Sequence, residues 1–445
     1  MRTRSRTAIL LAALASALCV AAPAVAADYP APGKPGAIQK KPKGPFKTLH
    51  VCKSGCKFKT IQKAVNKAKA GDTVKVADGT YKESVKVTGA AKRYLKLIGN
   101  VADPSKVVID LTNLKSPANQ NSVLISNANE VTLEGFTTQG YRGNGFFVTN
   151  ATGYTFRDLR AIGHSGVYGI YAFNTIGGTM ADSEASWNND GGFYIGQTPP
   201  QTKPVRTIAS NLKSFNNVIG WSGTNMRYVT IEGSQFYNNG VGVAPNALSS
   251  EKYPPDEDNV ITNNDIFWNN FDYFAGAPFQ VRKQASESAP YPPGVGVIIF
   301  GGRGNVISNN RIFGNYLVGA AGIQQLLLKE TDAQQLVGNQ VSGNTFGKDG
   351  TDLNGRDIFY DGDGSDNCFG PNTGVQVTVP ADGSTIQNCP FTGANALSTD
   401  AQAQISNWAL NDPTHIANWI VHPHAPIPGL VPLENYGSYT GTKPT

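Results

Sequence analysis

Short segments that open with glycine and continue with aromatic or aliphatic residues recur along the middle of the chain. The recurring glycines are Gly145, Gly169, Gly192, Gly220, Gly242, Gly296 and Gly322. The intervals between them are 24, 23, 28, 22, 54 and 26 residues, and the interval of 54 corresponds to two units with long loops. Units of this length that contain only strands and turns cannot each bury a hydrophobic face, so they must stack on one another. The repeat therefore predicts a solenoid of β-coils.

A second type of strand lies between these glycines, as in residues 131–135, 154–158 and 228–233. Strands that pair in parallel with their counterparts in the next coil form a parallel β-helix, and parallel connections favour right-handed crossovers. Three asparagine pairs stand three to four residues before a strand glycine: Asn188-Asn189, Asn216-Asn217 and Asn238-Asn239. Asparagine tolerates left-handed backbone, and stacked amides can form a ladder. The fold class predicted is all-β, a right-handed parallel β-helix with Asn columns at its corners.

The start of this region resembles the amino-terminal cap of a known superfamily. Its residues are Thr60-Ile61-Gln62-Lys63-Ala64-Val65, then Gly71-Asp72-Thr73-Val74, then Gly79-Thr80-Tyr81-Lys82-Glu83. Residues 47–390 resemble the right-handed parallel β-helix, or pectate-lyase-like, superfamily, which includes pectate lyases, pectin esterases and bacterial mannuronan epimerases. The helical spacing of residues 61–68 predicts a short capping helix within it. The resemblance implies the fold and does not by itself imply a reaction.

Active-site motifs of this superfamily are not reproduced. Alginate-type epimerases and lyases carry Tyr-Gly-x-Asp-Pro-His, and this chain matches only Tyr168 and Gly169. The Asp, Pro and His positions are occupied by Tyr171, Ala172 and Phe173. Without the carboxylate and the imidazole, proton abstraction beside a uronate carboxyl lacks its evident participants. No specific enzyme family is therefore matched.

The two ends of the chain differ from the repeats. Residues 1–26 combine three arginines, an apolar run and the small-residue site Ala24-Val25-Ala26, which predicts a cleaved signal peptide and a secreted protein. No later segment resembles a membrane anchor. Residues 27–46 form a leader rich in Lys, Pro and Gly, and residues 391–445 are predicted to contain a helix at 399–409 and a Pro-rich tail. We expect a monomer.

Four cysteines remain after the signal peptide, and export permits them to form disulfides. Four cysteines allow three connectivities, and their proximity in sequence favours Cys52 with Cys56 and Cys368 with Cys389. A zinc site is the alternative interpretation.

The net charge of +6 is unevenly distributed. Residues 27–106 contain 18 basic and 5 acidic residues, whereas residues 107–445 contain 17 and 27. The basic region at residues 27–106 could adhere to anionic envelope polymers. The alternative is that its first part is a solvated leader. The acidic body and the predicted export argue against nucleic acid as a partner.

An acidic, glycine-rich loop near the end of the repeats is a candidate calcium site. Its carboxylates are Asp357, Asp361, Asp363 and Asp366. Calcium takes six to eight oxygen ligands, which alternating Asp residues on a Gly-rich loop could supply in part. The spacing is not that of an EF-hand, and a solvated acidic turn is the alternative.

Two insertions, near residues 247–258 and 275–293, interrupt the repeat and are candidates for the walls of a ligand groove. Period-two alternation predicts that Phe147, Tyr171 and Tyr194 point outward while Phe146, Ile170 and Phe193 point into the core. An outward aromatic column could bind sugar rings. Its alternative role is aromatic stacking that stabilises successive coils.

Candidate acids and bases lie around this groove: His164, Asp190, Asp256, Glu257 and Asp258. Glu251 adds a further carboxyl to the first insertion. Two functions stay open. The first is a secreted protein that binds an extracellular or cell-envelope polysaccharide and cleaves or modifies it, using two carboxyl groups as acid and base. The second is a non-catalytic solenoid of the envelope or matrix that binds glycans along a rigid surface.

Overall fold

The computed structural model describes residues 39–164, 166–271, 273, 291–325, 333–348, 350 and 352–410. The predicted signal peptide, most of the leader, residues 275–290 of the second insertion and the Pro-rich tail lie outside the described residues. Within the described residues, no helix is long and apolar enough to span a membrane.

Two large sheets form the body. Within each sheet, every pair of neighbouring strands is parallel. Sheet 1 contains β1 (Thr48–Val51), β2 (Thr73–Val76), β3 (Gly79–Tyr81), β5 (Lys96–Ile98), β6 (Val107–Asp110), β8 (Val131–Gln139), β10 (Tyr154–Ile162), β12 (Gly178–Ser186), β14 (Thr207–Phe215), β16 (Val229–Glu232), β17 (Gln235–Tyr237), β19 (Val260–Thr262), β20 (Asp265–Phe267), β23 (Val306–Ser308), β24 (Arg311–Phe313), β27 (Gln340–Ser342) and β28 (Thr345–Phe346). Sheet 2 contains β4 (Val85–Thr88), β7 (Asn121–Ser126), β9 (Asn144–Thr152), β11 (Tyr168–Ile176), β13 (Gly191–Gly196), β15 (Ile219–Thr224), β18 (Val241–Asn246), β21 (Val295–Phe300), β25 (Val318–Ile323), β29 (Ile358–Tyr360) and β30 (Thr378–Val379). A two-stranded sheet pairs β22 (Gly302–Arg303) with β26 (Leu336–Val337).

Neighbours within each sheet come from successive coils, so the chain is a parallel β-helix, as the repeat predicts. In sheet 2, for example, β11 pairs with β9 on one side and β13 on the other. The side chains predicted to point inward, Phe146, Ile170 and Phe193, are in register and fully buried in the core. The right-handed parallel β-helix fold is therefore confirmed.

Sheet 1 bends along a column of residues with positive φ, which we call the bend column. Its members are Gly135, Asp158, Asp182, Asn211, Gly233, Asn263, Asn309 and Gly343. The residues before and after each member pair with those of the neighbouring coil, and this register places each member of the column opposite its counterpart in that coil. Gly, Asn and Asp are the residues that most readily adopt this left-handed backbone, which explains why they recur at the bend.

Asparagine ladders fill three buried columns. The first contains Asn188, Asn217, Asn239, Asn269, Asn315 and Asn354. The second contains Asn259, Asn305, Asn339, Asn367 and Asn395. The third contains Asn264, Asn310, Asn344 and Asn372. In each, the Nδ2 group donates to the Oδ1 of the next Asn. The predicted Asn column is confirmed, with one Asn of each predicted pair inside the first ladder.

Two helices, two 3-10 turns and two disulfides complete the described elements. Helix α1 (Ile61–Lys67) begins where Glu83 accepts hydrogen bonds from the Ile61 and Gln62 amides, at 2.8 and 2.9 Å. Helix α2 (Thr399–Leu410) lies where a helix is predicted at 399–409. The 3-10 turns are Ala90–Lys92 and Pro104–Lys106. The disulfides join Cys52 to Cys56 and Cys368 to Cys389, which confirms the favoured connectivity and is compatible with an extracellular location.

Candidate functional site

Aromatic side chains cover part of the outer face of sheet 2. Phe147, Tyr171 and Tyr194 stand opposite one another on β9, β11 and β13. The rings of Phe147 and Tyr171 are stacked, with centroids 4.4 Å apart and planes 11° from parallel. Tyr168 contacts the rings of Tyr171 and Tyr194 at 4.6 and 4.7 Å. We call these four residues the aromatic platform.

Tyr194 corrects the expectation that all three predicted residues present free faces. Its side chain is only 1% exposed, whereas Phe147 and Tyr171 are partly exposed. Its hydroxyl donates a hydrogen bond to Glu251 Oε1 in the first insertion. The ring lies along the strand over Gly196, where a Cβ would come within 2.3 Å of the Tyr194 hydroxyl. Tyr194 therefore anchors the insertion, and the accessible part of the platform is Phe147, Tyr168 and Tyr171.

The first insertion is held in place by Asn225, which follows β15 with a φ of 49°. Its Nδ2 donates to the carbonyl oxygens of Leu248, Glu251 and Lys252, at 2.8, 3.0 and 3.2 Å. The Lys252 amide donates in turn to Gln197 Oε1 at 3.0 Å. These bonds fix the backbone that positions Glu251 beside the platform.

Glu251 is the carboxyl group of the first insertion that contacts the aromatic platform. Burial raises its pKa to about 7, the charge of Asp190 adds to the increase, and the Tyr194 hydroxyl opposes it. Among the described residues, its Oε2 atom is buried and accepts no hydrogen bond. A carboxyl that titrates near neutral pH can donate a proton under physiological conditions.

Sequence reasoning placed Glu251 in the insertion but did not select it as a candidate. Its distinguishing feature is the contact with Tyr194, 57 residues earlier in the chain. No local spacing signals such a contact.

Asp256, Glu257 and Asp258 do not form the predicted acid–base group above the groove, because this part of the chain belongs to a coil. Glu257 makes isolated parallel bridges with Arg227 and Arg303. Its carboxylate accepts a hydrogen bond from the buried Arg227 at 3.0 Å and so neutralises a buried cation. Asp256 is fully buried, accepts a hydrogen bond from Asn305 at 2.8 Å, and has a pKa raised well above its usual range by burial. Partial desolvation and the charge of Glu257 raise the pKa of Asp258, which is an exposed residue.

His164 lies in the turn between β10 and β11, with a φ of 60° and an exposed side chain. It occupies the turn that precedes β11, as Asp190 occupies the turn that precedes β13. The role of His164 as an acid or base stays a prediction.

The four carboxylates of the predicted calcium site do not converge. No group of three or more His, Cys, Asp or Glu side chains within the described ranges could share a metal ion. Instead, Asp357 accepts from the Gln376 and Val377 amides, Asp361 from Gln324 and Asp363, Asp363 from Leu336, and Asp366 from Gly393. These backbone hydrogen bonds order the end of the β-helix, which is the physical reason that the expected calcium loop does not form.

No family model matches the sequence, and no curated protein matches it either. Solved structures do resemble it. The A-module of the Azotobacter vinelandii mannuronan C-5 epimerase AlgE6 is 18% identical, with a TM-score of 0.47 over 72% of this chain and 90% of that one. An alginate lyase from Paenibacillus sp. is 16% identical, with a TM-score of 0.40 over 70% and 99%.

The catalytic domain of a GH87 α-1,3-glucanase in complex with nigerose is 12% identical, with a TM-score of 0.44 over 80% of this chain and 69% of that one. At these identities and TM-scores the comparisons carry no argument about this chain. The parallel β-helix rests on the strand pairing described above, and function is argued below from the residues of this chain.

Proposed function

We propose that this protein binds an extracellular polysaccharide across sheet 2, with sugar rings over Phe147 and Tyr171 and the chain directed toward Glu251. The observation that carries the proposal is the partly exposed, parallel pair of rings 4.4 Å apart beside the wall formed by the first insertion. Ligand sites combine apolar and aromatic surface with a few convergent polar groups. Because the two rings are stacked, each covers one face of the other, and a sugar would contact their exposed edges.

The charge of the body favours a neutral or weakly basic glycan. Residues 107–445 carry 17 basic against 27 acidic residues, a net charge of −10. Part of this negative charge lies beside the platform, on Asp190 and, above its raised pKa, on Glu251. A uronate polymer would be repelled by this field unless cations neutralised it.

Glu251 and Asp190 add a chemical step to the proposal. Hydrolysis of a glycosidic bond requires one carboxylic acid to protonate the leaving oxygen and one carboxylate to attack the sugar or activate water. A carboxylic acid with a raised pKa suits the first of these roles. We assign the proton donor to Glu251, because burial and Asp190 raise its pKa to about 7.

A polysaccharide array tests glycan binding, and an assay for new reducing ends tests hydrolysis. Tyr171→Ala should weaken binding by about 1 kcal/mol, or roughly fivefold in Kd, because it removes one aromatic contact. Glu251→Gln should retain binding and lose the release of reducing ends. Phe46→Ala is the matched control, since Phe46 is an exposed aromatic residue beside Gly71 in the amino-terminal cap.

Unchanged binding by a folded variant that carries both Phe147→Ala and Tyr171→Ala would show that the platform is not the glycan site. If Glu251→Gln released reducing ends as fast as the unaltered protein, Glu251 would not be the acid. Tight binding without any release by the unaltered protein would favour the non-catalytic alternative.

A further inference from the structure

The outer face of sheet 2 continues from the aromatic platform toward the amino-terminal end of the β-helix. Phe147 stands opposite Leu124 on β7, and Leu124 stands opposite Lys86 on β4. The side chains of Phe147 and Leu124 are partly exposed, and that of Lys86 is exposed. Together with Tyr171 on β11, these residues form one column across four neighbouring strands, and the column ends at a cation.

A second outward column runs beside the first and carries hydroxyl groups. Thr88 stands opposite Ser126, and Ser126 stands opposite Thr149. Each of them lies two positions beyond the member of the first column on the same strand, so both columns point to the same side of the sheet. Apolar surface flanked by hydroxyl groups can contact a sugar and exchange hydrogen bonds with it. The floor of the groove therefore extends past the platform.

Lys86 is held at the end of this floor because its backbone is bound to helix α1. Its amide donates to Gln62 Oε1 at 2.6 Å, and its carbonyl accepts from Gln62 Nε2 at 3.1 Å. These bonds occupy the free edge of β4, which is the last strand of sheet 2 on this side. None of the ion pairs between described residues includes Lys86. Its ammonium group is therefore available to a ligand that lies on the floor.

The two ends of the groove carry opposite charge. Lys86 belongs to residues 27–106, which contain 18 basic and 5 acidic residues. Glu251 belongs to residues 107–445, which contain 17 basic and 27 acidic residues. Four strand spacings, about 19 Å, separate Lys86 from Tyr194, the residue that contacts Glu251. Exposed charges this far apart are largely screened from each other, so each end acts on its own part of a bound glycan.

We propose that the groove binds a polysaccharide whose sugar next to Glu251 is neutral and whose sugar at Lys86 carries an anionic group, a carboxylate or a sulfate. The inference rests on the proposed function and names its substrate class, glycans in which charged and neutral sugars are mixed. A polymer charged on every sugar would be repelled at the Glu251 end, and a neutral polymer would make no ionic contact with Lys86. Lys86 thus contributes specificity and takes no part in a chemical step.

A glycan array with three classes of probe tests this inference on the full chain. Dextran and chitin oligosaccharides are neutral, hyaluronan and keratan sulfate combine charged with neutral sugars, and polygalacturonate is charged on every sugar. Lys86→Gln removes the cation, and Lys86→Arg retains it. Lys75→Gln is the matched control, because Lys75 is an exposed strand lysine at the same end of the β-helix but on sheet 1.

We expect the unaltered protein to bind the mixed class most tightly. Lys86→Gln should weaken that binding about fivefold and leave binding of the neutral class unchanged, because it removes one exposed ionic contact. Lys86→Arg and Lys75→Gln should bind as the unaltered protein does. Loss confined to hyaluronan would identify the anionic group as a carboxylate, and loss confined to keratan sulfate would identify it as a sulfate.

The inference is overturned if the neutral class or polygalacturonate binds best, or if Lys86→Gln weakens all classes equally or none. It is also overturned if Lys75→Gln has the same effect as Lys86→Gln, since the general charge of this end would then be responsible. In each of these cases, weaker binding by Tyr171→Ala leaves the proposed function standing. Unchanged binding of every class by the variant with Phe147→Ala and Tyr171→Ala, or no binding by the unaltered protein, would remove the proposed function and this inference together.

Discussion

Buried carboxyl groups are the residues at which pH acts most directly on this protein. Burial, reinforced by the charge of Asp363, raises the pKa of Asp361 to about 7, and burial raises that of Asp363 to about 6. Both lie at the carboxyl-terminal end of the β-helix. Exposed carboxyls behave differently: hydrogen bonds from Ser384 lower the pKa of Asp382.

We expect the free energy of unfolding to fall as the pH rises from about 4 to above 7. In this window the folded protein retains protons on Asp361 and Asp363 that the unfolded chain has already released, so raising the pH favours unfolding. Above the raised pKa values of Asp361 and Asp363, the stabilisation that comes from retaining these protons is fully lost. Denaturant unfolding at pH 5 and pH 8 measures the difference.

Asp361→Asn should make that difference smaller, because one of the titrating groups is gone. Asp382→Asn should leave it unchanged, since a lowered pKa acts only below the ordinary value for Asp. The comparison uses the change between two pH values, so any constant loss from the substitution cancels. An equal pH dependence in Asp361→Asn and the unaltered protein would contradict the assignment.

The asparagine ladders are the elements that join one coil to the next inside the protein. Asn310 Nδ2 donates to the carbonyl of Ile261 and to Asn344 Oδ1, both at 2.9 Å, and its Oδ1 accepts from the amide and the side chain of Asn264. Each buried Asn thus satisfies groups in both neighbouring coils. Loss of one ladder residue would leave several buried polar groups without hydrogen-bond partners, which lowers the stability of the stack.

Asn310→Ala should lower the free energy of unfolding by at least about 2 kcal/mol, because it leaves several buried groups unsatisfied. Asn372→Ala, at the partly exposed end of the same ladder, should cost less, since water can replace its contacts. Equilibrium denaturant unfolding of both variants checks the order. A larger loss for Asn372→Ala would mean that the ladder does not stabilise the protein in the way described.

At the scale of the whole molecule, the stack needs closure at both ends, where a strand would otherwise have an unpaired edge. Helix α1 lies at the amino-terminal end, with Ile61, Ala64 and Val65 buried in the core. At the other end, the Cys368–Cys389 disulfide joins residues 21 positions apart, and Ala401 of α2 is buried in an apolar cluster on the outer face of sheet 2.

Replacing Cys368 and Cys389 together by Ala should lower the free energy of unfolding by about 3 kcal/mol, as expected for a loop of this length. The Cys52–Cys56 pair closes a much shorter loop, so its removal should cost less. Denaturant unfolding of the two double variants gives the comparison. Reactive thiols in the unreduced, denatured protein would contradict both disulfides.

Most of the β-helix could be predicted from the sequence because its determinants are local and repeated. Glycines at 22–28-residue intervals indicated the coil length, period-two alternation placed Phe146, Ile170 and Phe193 in the core, and Asn pairs marked a corner. In a stacked fold the same local pattern recurs in every coil. Neighbouring coils then contact one another at equivalent positions, so the repeat by itself determines the architecture.

Only the tertiary structure decided which carboxyls and aromatic rings lie together. Tyr194 is covered because Asn225 holds the first insertion over it, and Asp256 and Glu257 belong to a coil. These contacts join residues that are one or more coils apart and follow no period. The direction in which an insertion folds back depends on its own few hydrogen bonds, and no repeat specifies them.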